Sequence, residues 1–525
     1  MPARSYYSGR LHWTLTVSWA GRTFRWASSP LTIETEDGEA LSFEDGLEPV
    51  DYEDSLQGLG VASLRSIPVE IHFPPEVDVA EWISQGHDLA TATGEVSIWS
   101  EGTVWEERRV LLQGPVREPE YGGRDEPVSF SVEDSLRVDR SLVPSRSMVV
   151  SSETWPNPSE DALGVAYPIV WGQPGYLSKN NSSCAGSPCV VVHVAAGLAT
   201  TVLIAGHRVE SNTIILFNGD GQTYSFSVDT TVDDLGQIVS TVDLSVVSTG
   251  VFAREGSEYY ASWIYGDALV DGGGEAVQTA SDLVLYLLGQ STTSLDYPAW
   301  KSFSTPTVDG FIDEQVSPWE WVIDNLLPLF PLSVLPGPNG FYPVYWNLQA
   351  QRSEAVCTIS PDEDPTVERE GRIVYSKLGD AVNSLVFDYA IDPQVSEPRY
   401  RASIAGDADA DLGEVSSYYC AVSLGRYGAR EETLDSDIVW SPATADAVLL
   451  LQTLRSALPS REVSYTVPYS YGWLRLGDVV LVSDAEVHLS DEIGLVTGLR
   501  WSREDEQSVR VLLLARPELN AGVSL

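Results

Sequence analysis

The stretch Val463-Ser464-Tyr465-Thr466-Val467-Pro468, followed by Trp473-Leu474-Arg475-Leu476-Gly477-Asp478-Val479-Val480, decides the fold class. Val463, Tyr465 and Val467 alternate with polar residues, the period of a strand with one face in a core. Tyr471-Gly472 and Gly477-Asp478 punctuate the run as turns between strands. Two more apolar stretches, Gly494 to Leu499 and Val509 to Leu514, follow at hairpin spacing, which suits a small antiparallel barrel.

The same grammar recurs toward the start. Leu11, Trp13, Leu15, Val17 and Trp19 fall on one face and His12, Thr14, Thr16 and Ser18 on the other, predicting a half-buried strand. Val69 to Phe73, Val96 to Trp99, Val110 to Leu112 and Val128 to Val132 continue in β-structure, with one short helix from Asp78 to Gln85. A Ser/Pro-rich connector from Pro144 to Pro158 closes this first unit. A second β-rich region holds two strands around Gly197 and a hairpin at Asn218-Gly219-Asp220-Gly221.

Helices are predicted where Thr279 or Ser317-Pro318 can cap an apolar run, and from Ala443 to Leu458 behind Ser441-Pro442. The reading is therefore mainly β with some α+β, in several domains. Its units are 1–140, 141–270, 271–369 and 370–525, the first and last of them antiparallel β-barrels. A chain of 525 residues exceeds one ordinary core, which accords with this division.

A formal charge of −45 argues against a protein that holds nucleic acid, because phosphate contacts need Lys and Arg. Residues 1–10 lack the charged start and apolar core of a secretory signal, and no segment reads as membrane-spanning. The four cysteines are too few for a disulfide scaffold. Cys184 and Cys189 flank Ala185-Gly186-Ser187-Pro188, a sequence that can turn, so a bridge between them is expected.

The motif survey assigns no catalytic, cofactor-binding or metal residue. A Gly-Lys-Ser/Thr phosphate loop, a His-Glu-x-x-His helix and a Gly-x-Ser-x-Gly elbow are all missing, and three motif-bearing enzyme classes lose their support. Asp407, Asp409 and Asp411 begin like a calcium loop, but Leu412 stands where the turn needs glycine and Tyr418 where it needs the bidentate glutamate, so a solvated acidic loop is preferred. Four cysteines would meet the ligand count of an iron–sulfur cluster, but their spacing matches no cluster run. Stacking of sugars would need Trp155, Trp300 or Trp440 on loops, and glycan hydrolysis two facing carboxylates.

The pattern from Tyr465 to Val480 resembles the closing barrel of tailed-bacteriophage tail hub proteins. Ser423 to Gly428, Asn383 to Tyr389, Ser317 to Trp321 with Leu326-Leu327-Pro328, and Tyr167 to Gly172 are similar to other parts of such hubs. The resemblance implies a structural, non-enzymatic virion protein without cofactors, located at the tail tip or baseplate and assembled in the host cytoplasm. It implies a homotrimer whose two tail-tube-like barrels per chain imitate a ring of six, joining the tail tube or distal tail ring to a central spike or fibre beside the tape measure protein. Genomic DNA would pass through its channel without specific binding. Two alternatives stay open: a distal tail or adsorption protein that binds host carbohydrate, and a cell-wall or capsule glycan hydrolase.

Overall fold

The computed structural model describes residues 10–47, 52–55, 66–122, 126–134, 141–177, 184–210, 212–247, 252–254, 256–263, 276–290, 295–302, 305–335, 340–407, 415–501 and 507–515. Over these residues the protein is mainly β and multidomain, built from several separate sheets with helices gathered in its middle.

In the last sheet, Arg461–Val467 buries Val463, Tyr465 and Val467 and pairs antiparallel with Gln507–Leu513, which alternates in the same way. Leu489–Trp501 lies between Gln507–Leu513 and Val479–Asp484, while Cys357–Ile359 and Glu368–Tyr375 complete the two ends. The turn expected at Gly477-Asp478 is present, but Trp473 to Leu476 before it is a loop rather than a strand. The Asp478 carboxylate accepts from the Arg475 amide, the Asp478 amide donates to the Arg475 carbonyl, and Gly477 sits at φ 82°, so local bonds hold a turn instead. Leu474 and Leu476 drop into the core from this loop.

The first sheet runs in the order Leu31–Glu34, Ala40–Asp45, Arg22–Ala27, Leu11–Trp19, Thr93–Ser100, Arg109–Tyr121, Val128–Glu133, Ser66–Ile71. Leu11–Trp19 has its apolar face buried as expected, yet His12 and Thr14 on the opposite face are buried too. The Leu31–Glu34 and Ala40–Asp45 hairpin contributes Ile33 and Phe43 to a small cluster with Ala27 and Trp99, which covers that side. Thr14 accordingly donates to the Ser97 carbonyl, and the His12 ring meets Ser29 and Glu101. Helix α1, Val79–Ser84, starts at Asp78, whose carboxylate accepts the Glu81 amide.

The second β region forms its own sheet and core. Cys184–Ala195 and Leu198–Ala205 are joined by Ala196 and Gly197, both at positive φ, and Thr213–Asn218 turns into Thr223–Ser227 at the expected glycine-rich loop. Cys184 and Cys189 lie on one continuous strand: Cys184 and Gly186 pair with Leu177 and Gly175, and Ser187 to Cys189 pair with Tyr259–Ser262. At about 3.3 Å per residue their Cα atoms stand ~16 Å apart, beyond disulfide reach. The expected bridge is overturned because the intervening residues join ladders with Gly175–Leu177 and Tyr259–Ser262 rather than turning.

A third core gathers helix α2 (Ala280–Gly289), the short α3 (Tyr297–Trp300) and α4 (Pro318–Trp321), and a small sheet, together with α6 (Pro442–Ser456); α5 (Tyr418–Tyr427) packs on the outside against the sheet and α6. Thr279 and Asp282 close a reciprocal capping box on α2. The sheet runs Val415–Ser416, Glu397–Ala405, Ser384–Asp392, Glu431–Ser436, so residues from 370 onward contribute both to this core and to that of the last sheet. Among the described residues no helix is long and apolar enough to cross a membrane.

Candidate functional site: the seam between the first and last sheets

The first and last sheets share one apolar core, running from Leu11 and Val132 of one to Val463 and Leu513 of the other. Tyr52–Ser55, a segment of the N-terminal half, crosses over and pairs antiparallel with Leu489–Trp501, from Trp501↔Tyr52 to Gly498↔Ser55. Its first residue anchors it: the Tyr52 ring stacks on Trp501 at 6.0 Å between centroids, and its hydroxyl donates to the Leu111 carbonyl at 3.1 Å. Arg109 reaches the other way. Its guanidinium lies 4.5 Å from the Trp501 ring centroid, and Nη1 donates to the Gly472 carbonyl at 2.8 Å and the Leu474 carbonyl at 2.6 Å. Arg510 Nη2 pairs with Glu53 at 2.7 Å on the outer side. One ladder, one aromatic stack and two arginines therefore fasten units more than 350 residues apart in sequence.

Elsewhere the carboxylates cap turns and pair locally. Arg369 joins Asp484 at 2.9 Å and Glu486 at 2.6 Å, and Tyr465 donates to Asp484 at 3.2 Å, with burial pushing the Tyr465 hydroxyl's pKa up. Two clefts open in the middle of the protein. One, of about 370 Å³, lies between Gly172 and Trp440; the larger, about 690 Å³, lies between Asp324, Leu385 and Glu432. Near the latter, burial raises the carboxyl pKa of Asp437, and of Asp313 beside it.

No protein-family model matches the sequence, and no curated protein matches it. The fold is similar to that of a tail protein from Neisseria meningitidis MC58, at 12% identity over 96% of each chain with a TM-score of 0.39. It is also similar to a 43 kDa tail protein of prophage MuSo2 from Shewanella oneidensis, at 9% identity over 96% of this chain and 99% of that one, TM-score 0.36. A prophage tail protein from Listeria monocytogenes EGD-e shares 7% identity over 92% and 94% of the two chains, TM-score 0.34.

The residues weighed in the sequence for chemistry are not brought together. Asp407 is exposed, while Asp409 and Asp411 lie outside the described residues. Asp362 accepts the Ala485 amide and Asp364 accepts from Thr366, so these carboxylates hold local loops. Among the described residues no group of three or more His, Cys, Asp or Glu side chains could hold a metal. Cys189, Cys357 and Cys420 are not joined in a disulfide. Trp155, Trp300 and Trp440 are all buried and donate to Tyr167, the Phe341 carbonyl and the Asp437 carbonyl, so none supplies the exposed platform that sugar stacking would need. Sequence reasoning missed Tyr52, Glu53, Arg109 and Arg510. Glu53 and Arg510 stand 457 positions apart, and neither carries a local pattern that names its partner.

Proposed function

We propose that this protein is a structural component of a phage particle, a tail hub that assembles as a homotrimer. In this reading the hub joins the tail tube or distal tail ring to a central spike or fibre at the tail tip or baseplate, and assembly takes place in the host cytoplasm. The observation that carries the proposal is the seam: two mainly antiparallel sheets, one from each end of the chain, share one apolar core, and one strand, Tyr52–Ser55, crosses to join the last sheet. Three copies of such a pair present six β-units to a sixfold tube, which a single unit per chain could not do with threefold symmetry. The sequence resemblance from Tyr465 to Val480 supports the same reading.

The charge of −45 suits a channel wall along which DNA slides, since carboxylates repel phosphate and offer no counterion release. The role requires neither turnover nor a cofactor. Light scattering of the purified protein should give three times the chain mass, and reconstruction of the particle should place both sheets around the axis with an acidic inner face. A monomer at micromolar concentration that is also monomeric in the particle, or an axial face rich in Arg, sinks the proposal.

A further inference from the structure

Glu431–Ser436 is the outer strand of the small sheet and is paired on one side only, parallel to Ser384–Asp392 from Ser384↔Glu431 to Tyr389↔Ser436. In a parallel pair the residues that do not bond the neighbour direct their amides and carbonyls outward. Among the described residues no other backbone segment bonds to the strand along Glu432 to Asp435. This open edge forms one wall of the larger cleft, about 690 Å³. The cleft is also lined by Asp324 and Asn325, from a single π-helical turn at Val322–Leu326, a distortion that recurs at functional positions in helices. Leu329, Leu385, Ile391 and Leu434 give the cleft apolar lining.

The rim sets the charge of the occupant. Asp324, Glu432, Asp435 and Asp437 line the cleft together with Arg455, four carboxylates against one guanidinium. A second copy of so acidic a strand would be repelled, whereas a strand with cationic side chains would be drawn in. Overall acidity alone would put carboxylates on any rim; the unpaired edge beside an apolar lining is what distinguishes this place.

We propose that the cleft is a docking site for an extended segment of another protein, in which lysine or arginine alternates with apolar residues and which adds as a strand to Glu431–Ser436. Ladder bonds to the open edge hold the segment. Its apolar side chains enter the cleft and its cationic ones meet the rim, as the two-residue period of a strand allows. The inference does not depend on the hub reading.

The test uses the full chain and three synthetic ten-residue peptides: lysine alternating with valine and isoleucine, glutamate alternating with the same apolar residues, and the lysine peptide with two prolines that forbid a ladder. Fluorescence anisotropy should show the first binding at least tenfold more tightly than either control. The paired substitutions Glu432→Lys and Asp435→Lys, both on exposed side chains, should weaken it at least tenfold. Hydrogen exchange at the amides of 431–436 should slow on binding. Equal binding of the proline-containing peptide refutes strand addition, indifference to the charge reversals refutes the site, and failure of the lysine peptide to bind refutes both.

Discussion

Replacing Arg109 by alanine should loosen the seam without unfolding the rest of the protein. Arg109 donates two charge-assisted hydrogen bonds, to the Gly472 and Leu474 carbonyls, and covers the face of Trp501. Hydrogen bonds to charged groups contribute about 1.5–3 kcal/mol each, and a partly exposed cation–π contact about 0.5–1 kcal/mol. Water can re-solvate part of this half-buried site, so a net loss of about 3 kcal/mol is reasonable. At 1.4 kcal/mol per factor of ten, that is about a hundredfold rise in local opening. Hydrogen exchange followed by mass spectrometry should show it in the amides of 52–55 and 498–501, while those of 198–205 in the second β region keep their wild-type rate. Arg109→Lys should fall between, because a single ammonium cannot reach both carbonyls with the same planar fork. Arg369→Ala, which removes ion pairs elsewhere on the last sheet, should leave the seam at its wild-type rate. If Arg109→Ala changes seam exchange by less than threefold, the two sheets are held by their apolar core alone and the clasp assigned to Arg109 is wrong.

Three further outcomes follow from the geometry. Burial lowers the His207 pKa from 6.5 to about 4, and its neutral ring accepts the Val170 amide at 3.0 Å, so its contribution is complete above pH 6.5 and is lost as the pH falls toward 4; urea unfolding should show a pH slope there, worth at most about 3 kcal/mol, that His207→Gln abolishes. Gly477→Ala should destabilise the last sheet by about 2–3 kcal/mol, read by thermal unfolding, because φ is 82° and an added Cβ would stand 2.6 Å from Val344 Cγ1. Cys184 and Cys189 should both be alkylated in unreduced, denatured protein, since the strand holds them too far apart to bridge; recovery of a disulfide-linked peptide would show that the strand is misread.

The strands of the last sheet were legible because their pattern is local. Val463, Tyr465, Val467 and Val509 to Leu513 alternate with period two, and the hairpins at Gly197 and Asn218 are marked by residues that tolerate positive φ. Caps at Asp78 and Thr279 were equally visible, each being a contact over three residues. What escaped was whatever a distant segment decides. His12 and Thr14 look solvent-facing until the Leu31–Glu34 hairpin covers them, and Ala185 to Pro188 reads as a turn until Gly175–Leu177 and Tyr259–Ser262 supply ladder partners along it. The seam escaped for the same reason: Tyr52 and Arg109 take their roles from Trp501 and Gly472, and nothing in their own neighbourhoods says so.

The crossing of Tyr52–Ser55 also sets an order of events for the nascent chain. That strand leaves the ribosome early, but its partner, Leu489–Trp501, is made only after the whole second β region and the helices. At about 5–20 residues per second the wait is roughly 20–90 s, during which Tyr52 has no Trp501 to stack on and its strand no ladder to join. The second β region and the helical core are translated as an insertion into a body whose two halves must then find each other, so truncation at the C-terminal side should leave an N-terminal sheet with an orphaned strand and a half-covered apolar face. Because the inserted parts have cores of their own, they can fold in that interval, and changes in their length need not disturb the closure that completes the body around them.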